Sequence, residues 1–190
     1  MASVLVPLAE GCEELEAVTI LDLLVRADIK VVSAGLKEGP VRCSRGTVLL
    51  PDTTLDEALN QEFDMVVLPG GLPGATYLNE DARIITLLQK MASLDKFTAA
   101  ICAAPKVLAS AGLLEGKVAT SYPGVIDKMA IPGLRCSADA VVIDGKVITS
   151  RGPGTAMDFT LQLIEVLVGQ QKRNEVERAL VRPSTDNVTT

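Results

Sequence analysis

Apolar and polar positions follow two different patterns along this chain, and stretches of the two patterns alternate. Short continuous apolar runs, typical of strands that are buried on both faces, occur at Ser3–Leu8, Ile29–Ala34, Asp64–Leu68 and Phe97–Ile101. Between them, apolar residues recur with the three- to four-residue spacing of an amphipathic helix. This alternation predicts an α/β fold in which helices cover both faces of a mostly parallel sheet.

The first helix is predicted over Glu13–Ala27, and Leu15 and Val18 are assigned to its buried side. Glu16 lies beside that apolar stripe rather than opposite it, so we expect its carboxyl group to be partly buried. The other helices are predicted over a short segment from Leu55, then Glu80–Ser93, Ala104–Ala111, Thr155–Val168 and Lys172–Leu180.

Local signals mark helix starts and one hairpin. Thr54 and Glu57 have the spacing of a capping box, and Asn79 is a candidate N-cap for the helix that follows it. Asp144-Gly145 lies between two short apolar runs, which is a strong signal for a two-residue hairpin. The hairpin adds some antiparallel pairing to the sheet.

The composition is that of a chain that folds around a core. Hydrophobic residues make up 48% of the 190 residues and charged residues 22%, whereas aromatic residues make up only 3%. We therefore expect a single domain over residues 1–183, built mainly from aliphatic side chains. Residues 184–190 are polar and are predicted to form a disordered tail.

Charge and patterning exclude several classes of protein. The net charge of −6 argues against a nucleic-acid groove, because phosphate contacts need clustered Lys and Arg. No apolar run approaches the ~18 residues of a membrane helix, and the N-terminus lacks a basic leader, so we expect a cytoplasmic protein. The four cysteines have no C-x-x-C spacing; we expect free thiols and neither a metal nor a cofactor.

Cys102 is the main candidate for chemistry. An apolar run ends on it, and small residues follow before the next helix, so the sulfur is predicted to lie at a sharp strand-to-helix turn. Proximity to a helix N-terminus would lower the pKa of the thiol and make it a better nucleophile. The alternative is an inert thiol buried at a strand end. The chain contains no histidine, so a nucleophilic Cys102 needs another base.

Two further segments are predicted to reach the same edge of the sheet. Gly70 and Gly71 follow a strand and can expose backbone N–H groups; one of these with the Ala103 N–H would form an oxyanion hole. The alternative is an ordinary turn. The acidic residues that open the first helix can complement its dipole, but a partly buried Glu16 beside a thiolate would hold a proton and act as an acid or base.

Two arginines occur in turn-like contexts, Arg45 after Cys43-Ser44 and Arg151 before Gly152. Either guanidinium group could bind an anion or a carboxylate. The alternative is that both arginines simply lie in solvated turns, and the local sequence does not favour anion binding over this alternative.

Together these segments resemble the ThiJ/PfpI superfamily, in its parkinsonism-associated deglycase (DJ-one) branch with bacterial relatives. The resemblance spans nearly the whole chain, and its motifs occur in the family's order. They are Glu13-Glu14-Leu15-Glu16, Cys43-Ser44-Arg45, Val66-Val67-Leu68-Pro69-Gly70-Gly71, Ala99-Ala100-Ile101-Cys102-Ala103-Ala104-Pro105, Asp127-Lys128-Met129 and Thr149-Ser150-Arg151-Gly152-Pro153-Gly154-Thr155.

The resemblance implies a flavodoxin-like three-layer sandwich and a homodimer. It implies that Cys102 is an easily oxidised nucleophile with Glu16 as its protonated partner, and that Gly71 and Ala103 are backbone donors. Arg45 would reach across the dimer toward Glu13. The activities it implies are cofactor-free glyoxalase activity, deglycation of adducts of methylglyoxal or glyoxal, and redox-linked protection of other proteins.

One position departs from the family pattern. Many relatives have a histidine near the cysteine, where this chain has Tyr122. A phenol with a pKa near 10 is a poor base at neutral pH but a good hydrogen-bond donor, so we expect Tyr122 to line the pocket and orient a carbonyl. The Cys-His pairing typical of peptidases is absent, which makes a cysteine peptidase the least favoured hypothesis.

The leading hypothesis is a hydrolase- or lyase-type glyoxalase or deglycase with a Cys102–Glu16 dyad. Its substrates would be small α-oxoaldehydes or their protein and nucleotide adducts. The alternative is a redox sensor or chaperone of the oxidative stress response, in which oxidation of Cys102 is the signal.

Overall fold

The apolar runs form the strands of a seven-stranded sheet in the computed structural model, which describes residues 1–182. The tail predicted over residues 184–190 lies outside the described residues. In chain order the strands are β1 (Ser3–Leu8), β2 (Lys30–Gly35), β3 (Val41–Arg42), β4 (Val48–Leu49), β5 (Thr53–Thr54), β6 (Met65–Leu68), β7 (Phe97–Ile101), β8 (Val118–Ala119), β9 (Arg135–Cys136), β10 (Val141–Asp144) and β11 (Val147–Ser150).

The large sheet has the strand order β10-β11-β7-β6-β1-β2-β5. All neighbouring strands in it are parallel except the pair β10 and β11, which form the predicted hairpin. The two-residue turn lies one residue later than predicted, at Gly145-Lys146, because Asp144 is part of β10 and pairs with Val147; Gly145 has a φ of +64°, as such a turn requires. The strands β3 and β4 form a separate hairpin, and β8 pairs with β9.

Helices lie on both faces of the sheet, so the predicted three-layer architecture is confirmed. The helices α1, α6 and α7 pack together, and α3, α4 and α5 form a second group. Within the described residues, none of the helices has the length and apolar content needed to span a bilayer. The helices are α1 (Glu14–Arg26), α2 (Leu55–Ala58), α3 (Gly74–Glu80), α4 (Ala82–Ser93), α5 (Pro105–Ser110), α6 (Ala156–Val168) and α7 (Gln170–Ala179).

One helix start was predicted wrongly. Asn79 does not cap α4; it lies within α3, a helix that the sequence prediction missed because Pro73-Gly74 has the composition of a turn. The N-cap of α4 is Asp81, whose carboxylate accepts a hydrogen bond from the Arg83 N–H at 3.0 Å. The capping box of Thr54 and Glu57 is present as predicted.

The sheet order determines where loops can meet. In open α/β sheets, ligand sites form beyond the carboxyl ends of the strands, where the strand order reverses direction. Here β1 lies between β6 and β2, and β7 lies next to β6. The loops after β1, β6 and β7 therefore emerge side by side at one edge.

Candidate functional site

Cys102 follows β7 directly and occupies a strained turn. Its φ is +62°, a left-handed conformation that is uncommon for residues other than glycine. Two backbone hydrogen bonds hold it: its N–H donates to the Ser150 carbonyl at 3.0 Å, and its carbonyl accepts from the Tyr122 N–H at 2.8 Å. The residue is 8% exposed. The sharp turn predicted from the small residues after the strand is therefore present.

Glu16 is fully buried on α1, more deeply than the sequence prediction had it. Its Oε2 atom accepts a hydrogen bond from the Gly70 N–H at 2.8 Å, and its Oε1 atom has no partner with hydrogen-bond geometry. The predicted helix face was wrong: Leu15 and Val18 are 51% and 45% exposed. The buried face of α1 instead carries Glu16, Ala17, Ile20, Leu23 and Leu24.

The Gly70-Gly71 pair lets the three loops approach one another. A Cβ atom on Gly70 would lie 2.6 Å from the Cys102 Cβ and 2.9 Å from the Glu16 Oε2. Gly71 has a φ of +88°, and a Cβ there would lie 2.4 Å from the backbone nitrogen of Glu13. Only glycine fits at either position without moving the backbone of a neighbouring loop.

Burial raises the pKa of Glu16 to about 7, although the Gly70 N–H and the nearby thiol partly offset that effect. Burial also raises the pKa of Cys102, to about 12, and the charge of an ionised Glu16 adds to this effect. The N–H groups of Gly71 and Ala103 act in the opposite direction. The expected lowering of the thiol pKa is therefore wrong, because burial outweighs the backbone N–H groups.

The Cys102 thiol therefore keeps its proton near neutral pH, where the Glu16 carboxyl group titrates. Transfer of the thiol proton to the Glu16 carboxylate would remove the charge that opposes a thiolate, and the Gly71 and Ala103 N–H groups would then stabilise the sulfur against the effect of burial. A buried carboxyl group with a pKa near neutrality is the arrangement that general acid–base catalysis uses. The arrangement can therefore stabilise negative charge on the sulfur and move a proton beside it.

The acidic residues that precede Glu16 have separate contacts. The Glu13 carboxylate caps α1 by accepting from the Glu16 N–H at 2.9 Å. Glu14 binds the turn after β3: its carboxylate accepts from the N–H groups of Arg45 and Thr47 and from the Ser44 hydroxyl.

Burial acts to raise the pKa of Glu14, but the backbone N–H groups outweigh it and hold the pKa at about 2. This contact of Glu14 was not predicted from the sequence, where the turn-like composition of Ser44-Arg45-Gly46 was the available signal. Within residues 1–182, Arg45 contacts Glu14 through its backbone N–H, and no hydrogen bond or ion pair joins Arg45 to Glu13.

Tyr122 adjoins the nucleophile through the hydrogen bond of its N–H to Cys102, and its side chain is about half exposed. With Arg151 and Cys136 it lines a cavity of about 260 Å³. The Arg151 guanidinium donates to the carbonyl of Ala138, which also lines that cavity, at 3.0 Å. Within residues 1–182, no three His, Cys, Asp or Glu side chains converge as metal ligands.

The strand order and the strained turn after β7 define the class: a flavodoxin-like α/β protein in which a cysteine on that turn lies beside a buried carboxyl group.

Within that class, the chain belongs to the DJ-1/PfpI family, whose model matches residues 2–166. It is 46% identical over 180 residues to the protein dj-1beta of Drosophila melanogaster, which covers 94% of this chain and 96% of that protein. It is 39% identical over 179 residues to a Caenorhabditis elegans protein named glutathione-independent glyoxalase DJR-1.2, with coverage of 94% and 95%.

Solved structures agree with the fold. The crystal structure of Drosophila melanogaster DJ-1beta superposes with a TM-score of 0.91 at 44% identity and covers 96% of this chain and 99% of that chain. The structure of oxidized Toxoplasma gondii DJ-1 superposes with a TM-score of 0.90 at 35% identity, with coverage of 97% and 100%.

Proposed function

We propose that this protein is a cofactor-free glyoxalase or deglycase that acts on small α-oxoaldehydes, such as methylglyoxal and glyoxal, or on their protein and nucleotide adducts. The observation that carries the proposal is the pairing of Cys102, on its strained turn, with a buried Glu16 whose pKa is raised to about 7. The relative named as a glutathione-independent glyoxalase supports it.

The first step is attack of the Cys102 thiolate on the aldehyde carbon, which gives a thiohemiacetal. The negative charge moves from sulfur to the former carbonyl oxygen. We assign the Gly71 and Ala103 N–H groups to that oxyanion, since both already act on the sulfur in its resting position. Protonated Glu16 can supply the proton that neutralises the oxygen.

The second step needs Glu16 as a base. As a carboxylate it removes the proton from the former aldehyde carbon, which produces an enediol-like intermediate, and it returns a proton to the neighbouring carbon. The product is a thioester of a 2-hydroxy acid on Cys102. Water then releases the acid and regenerates the thiol, so the net reaction adds one water to the oxoaldehyde. With an adduct as substrate, the repaired amine or thiol leaves as well.

The direct test uses the purified protein and methylglyoxal in buffer without any thiol cofactor. We expect lactate to accumulate and methylglyoxal to disappear in equal amounts, as followed by NMR. Consumption of methylglyoxal without lactate would contradict the proposed reaction, because that outcome is simple adduct formation.

We also propose that the chain works as a cytoplasmic homodimer. The apolar side chains of Leu15, Val18 and Val25 are exposed on α1, which supports an interface on that helix face. Light scattering on the purified protein should give twice the chain mass. A monomeric mass at micromolar concentration would contradict the dimer.

A second candidate function is that of a redox sensor or stress chaperone, in which oxidation of Cys102 is the signal. The observation that favours it is the same pair of N–H groups at the sulfur, which would also stabilise a sulfinate. The solved neighbour described as oxidized belongs to the same family.

Under limiting hydrogen peroxide, we expect Cys102 to reach the sulfinate before Cys12, Cys43 or Cys136 is oxidised. The reason is that the Gly71 and Ala103 N–H groups lie at the Cys102 sulfur, and such donors stabilise the negative charge of the thiolate that reacts and of the sulfinate that forms, against the effect of burial. Peptide mass spectrometry over a peroxide series measures the order. Oxidation spread evenly over the four thiols would contradict a sensing role for Cys102.

A further inference from the structure

Two cysteines outside the site already described are in contact. The Sγ atoms of Cys12 and Cys43 lie 3.5 Å apart, although 31 residues separate them in the chain. Cys12 is fully buried and Cys43 is 4% exposed, and both are free thiols. The mechanism proposed above uses neither sulfur.

The backbone around this pair is held in place from both sides. The Gly11 N–H donates to the Arg42 carbonyl at 2.8 Å, and the Ser44 N–H donates to the Cys12 carbonyl at 2.8 Å. Glu14, two residues after Cys12, binds the turn that follows Cys43 through its carboxylate. The two loops are therefore fixed together in the register that brings the sulfur atoms into contact.

We propose that Cys12 and Cys43 form an intramolecular disulfide on reaction with a hydroperoxide, as a redox site separate from Cys102. A disulfide needs the sulfur atoms to approach to about 2 Å. The sulfur atoms are 3.5 Å apart and so must close by about 1.5 Å, a movement that we assign mainly to rotation of the two side chains.

The reaction has two balanced steps. The Cys43 thiolate attacks the hydroperoxide and takes up one oxygen as a sulfenic acid, and the alcohol or water leaves. Cys12 then attacks the Cys43 sulfur, the S–S bond forms, and a water molecule leaves with the hydroxyl group. In total, two thiols lose two protons and two electrons, and the hydroperoxide takes these up as it is reduced to the alcohol or water, with release of one further water.

The structure assigns the first attack to Cys43 for two reasons. Cys43 follows β3 in the small hairpin of β3 and β4, whose residues Arg42 and Val48 are exposed, so a local opening of this hairpin admits a small oxidant. Burial raises the pKa of both thiols. Their mutual contact acts in opposite directions, because it lowers the pKa of Cys43 and raises the pKa of Cys12. Cys12 is thus suited to resolve the sulfenic acid rather than to form it.

The disulfide would lie beside the candidate site. A Cβ on Gly74 would lie 2.7 Å from the Cys12 Cα, and a Cβ on Gly71 would lie 2.7 Å from the Cys12 carbonyl carbon. The Cys12 backbone therefore packs directly against the loop that carries the Gly71 N–H.

The test treats the full-length protein with hydrogen peroxide, blocks the remaining thiols with N-ethylmaleimide and maps tryptic peptides without reduction. Cleavage at arginine places Cys12 in peptide 1–26 and Cys43 in peptide 43–45. We expect a species that joins these two peptides and is two hydrogens lighter than their sum. Dithiothreitol added before blocking should remove it.

Three variants separate the outcomes. Cys136→Ser, which removes the exposed cysteine, should leave the cross-link unchanged. Cys12→Ala should abolish it and let Cys43 proceed to the sulfinate. Cys102→Ala should retain the cross-link, so the result is independent of the proposed enzymatic function.

Two results would overturn the proposal. One is a protein in which Cys12 and Cys43 both carry the maleimide at a peroxide concentration that fully oxidises Cys102. The other is loss of the cross-link in Cys102→Ala, which would mean that the disulfide forms by exchange through Cys102 rather than by direct oxidation of the pair.

Discussion

Methylglyoxal turnover should fall at least about 100-fold when Cys102 is replaced by alanine, which is the scale of a lost nucleophile. The substitution keeps the Cβ atom, so it adds no new strain at the positive φ of this turn. It removes the only sulfur that lies next to the Glu16 carboxyl group and the Gly71 and Ala103 N–H groups among the residues the structure describes.

The matched control is Cys136→Ala, which removes an exposed thiol and should leave turnover at the wild-type level. Circular dichroism and thermal melting check that both variants fold. If Cys102→Ala retains turnover while folded, the thiohemiacetal mechanism is wrong. If Cys102→Ala loses turnover and, in addition, peroxide treatment makes the wild type suppress aggregation of other proteins, both the catalytic function and the sensor function are supported.

Glu16→Gln should have the second large effect, again a loss of at least about 100-fold in turnover. The glutamine side chain has the shape of glutamate and can still accept the Gly70 N–H bond, but it cannot donate and recover a proton. The exposed Glu80 at the end of α3 offers a matched control, and Glu80→Gln should leave turnover unchanged.

The pH profile distinguishes loss of proton transfer from loss of structure. In the wild type, turnover should rise as the pH passes through about 7, because below this value Glu16 and Cys102 both hold protons. This rise in turnover around pH 7 should be absent from the residual activity of Glu16→Gln. If the variant shows the same rise as the wild type, a group other than Glu16 controls it.

Stability gives a further check whose sign follows from the same pKa. Burial raises the pKa of Glu16 from its ordinary value of 4.5 to about 7 in the folded protein. The folded state therefore binds the proton more tightly, and its stability falls as the pH rises from about 4.5 through 7. Glu16→Gln removes this penalty, so at pH 8 it should be more stable than the wild type by up to about 3 kcal/mol.

Urea denaturation at pH 5 and pH 8 measures that difference. A variant that is less stable than the wild type at both pH values would show that the folded protein accommodates the glutamine amide poorly. Its lost turnover would then not support a proton-transfer role for Glu16. Rescue by Glu16→Asp would separate a proton-transfer role from packing, since the shorter carboxylate keeps the acid but leaves a gap.

Much of this protein could be predicted from local patterns. The strands β1, β6 and β7, the capping box at Thr54 and the hairpin around Gly145 each depend on a few consecutive residues, although the hairpin turn lies one residue later than predicted. The turn at Cys102 belongs to the same group, because a strand followed by small residues can bend sharply only there. Asn79 was a wrong cap because Asp81, two residues later, binds the helix N-terminus with a charged oxygen.

The sequence alone determined the class of fold, the cysteine that the central strand presents and, through the absence of histidine, the need for a different base. The sequence also made Glu16 a candidate for that base, but only the tertiary structure decided that its carboxyl group is fully buried and lies beside Cys102. Glu16 and Gly70 are 54 residues apart in the chain, and Leu15 rather than Glu16 has the side chain that hydrophobicity assigns to the core.

The contact between Cys12 and Cys43 and the binding of the Ser44 turn by Glu14 likewise depend on packing between loops. Burial is a property of the whole assembly of elements. For that reason helical periodicity predicted the position of the first helix correctly but not which of its faces is buried. The pKa of Glu16 is raised because Glu16 lies on the buried face.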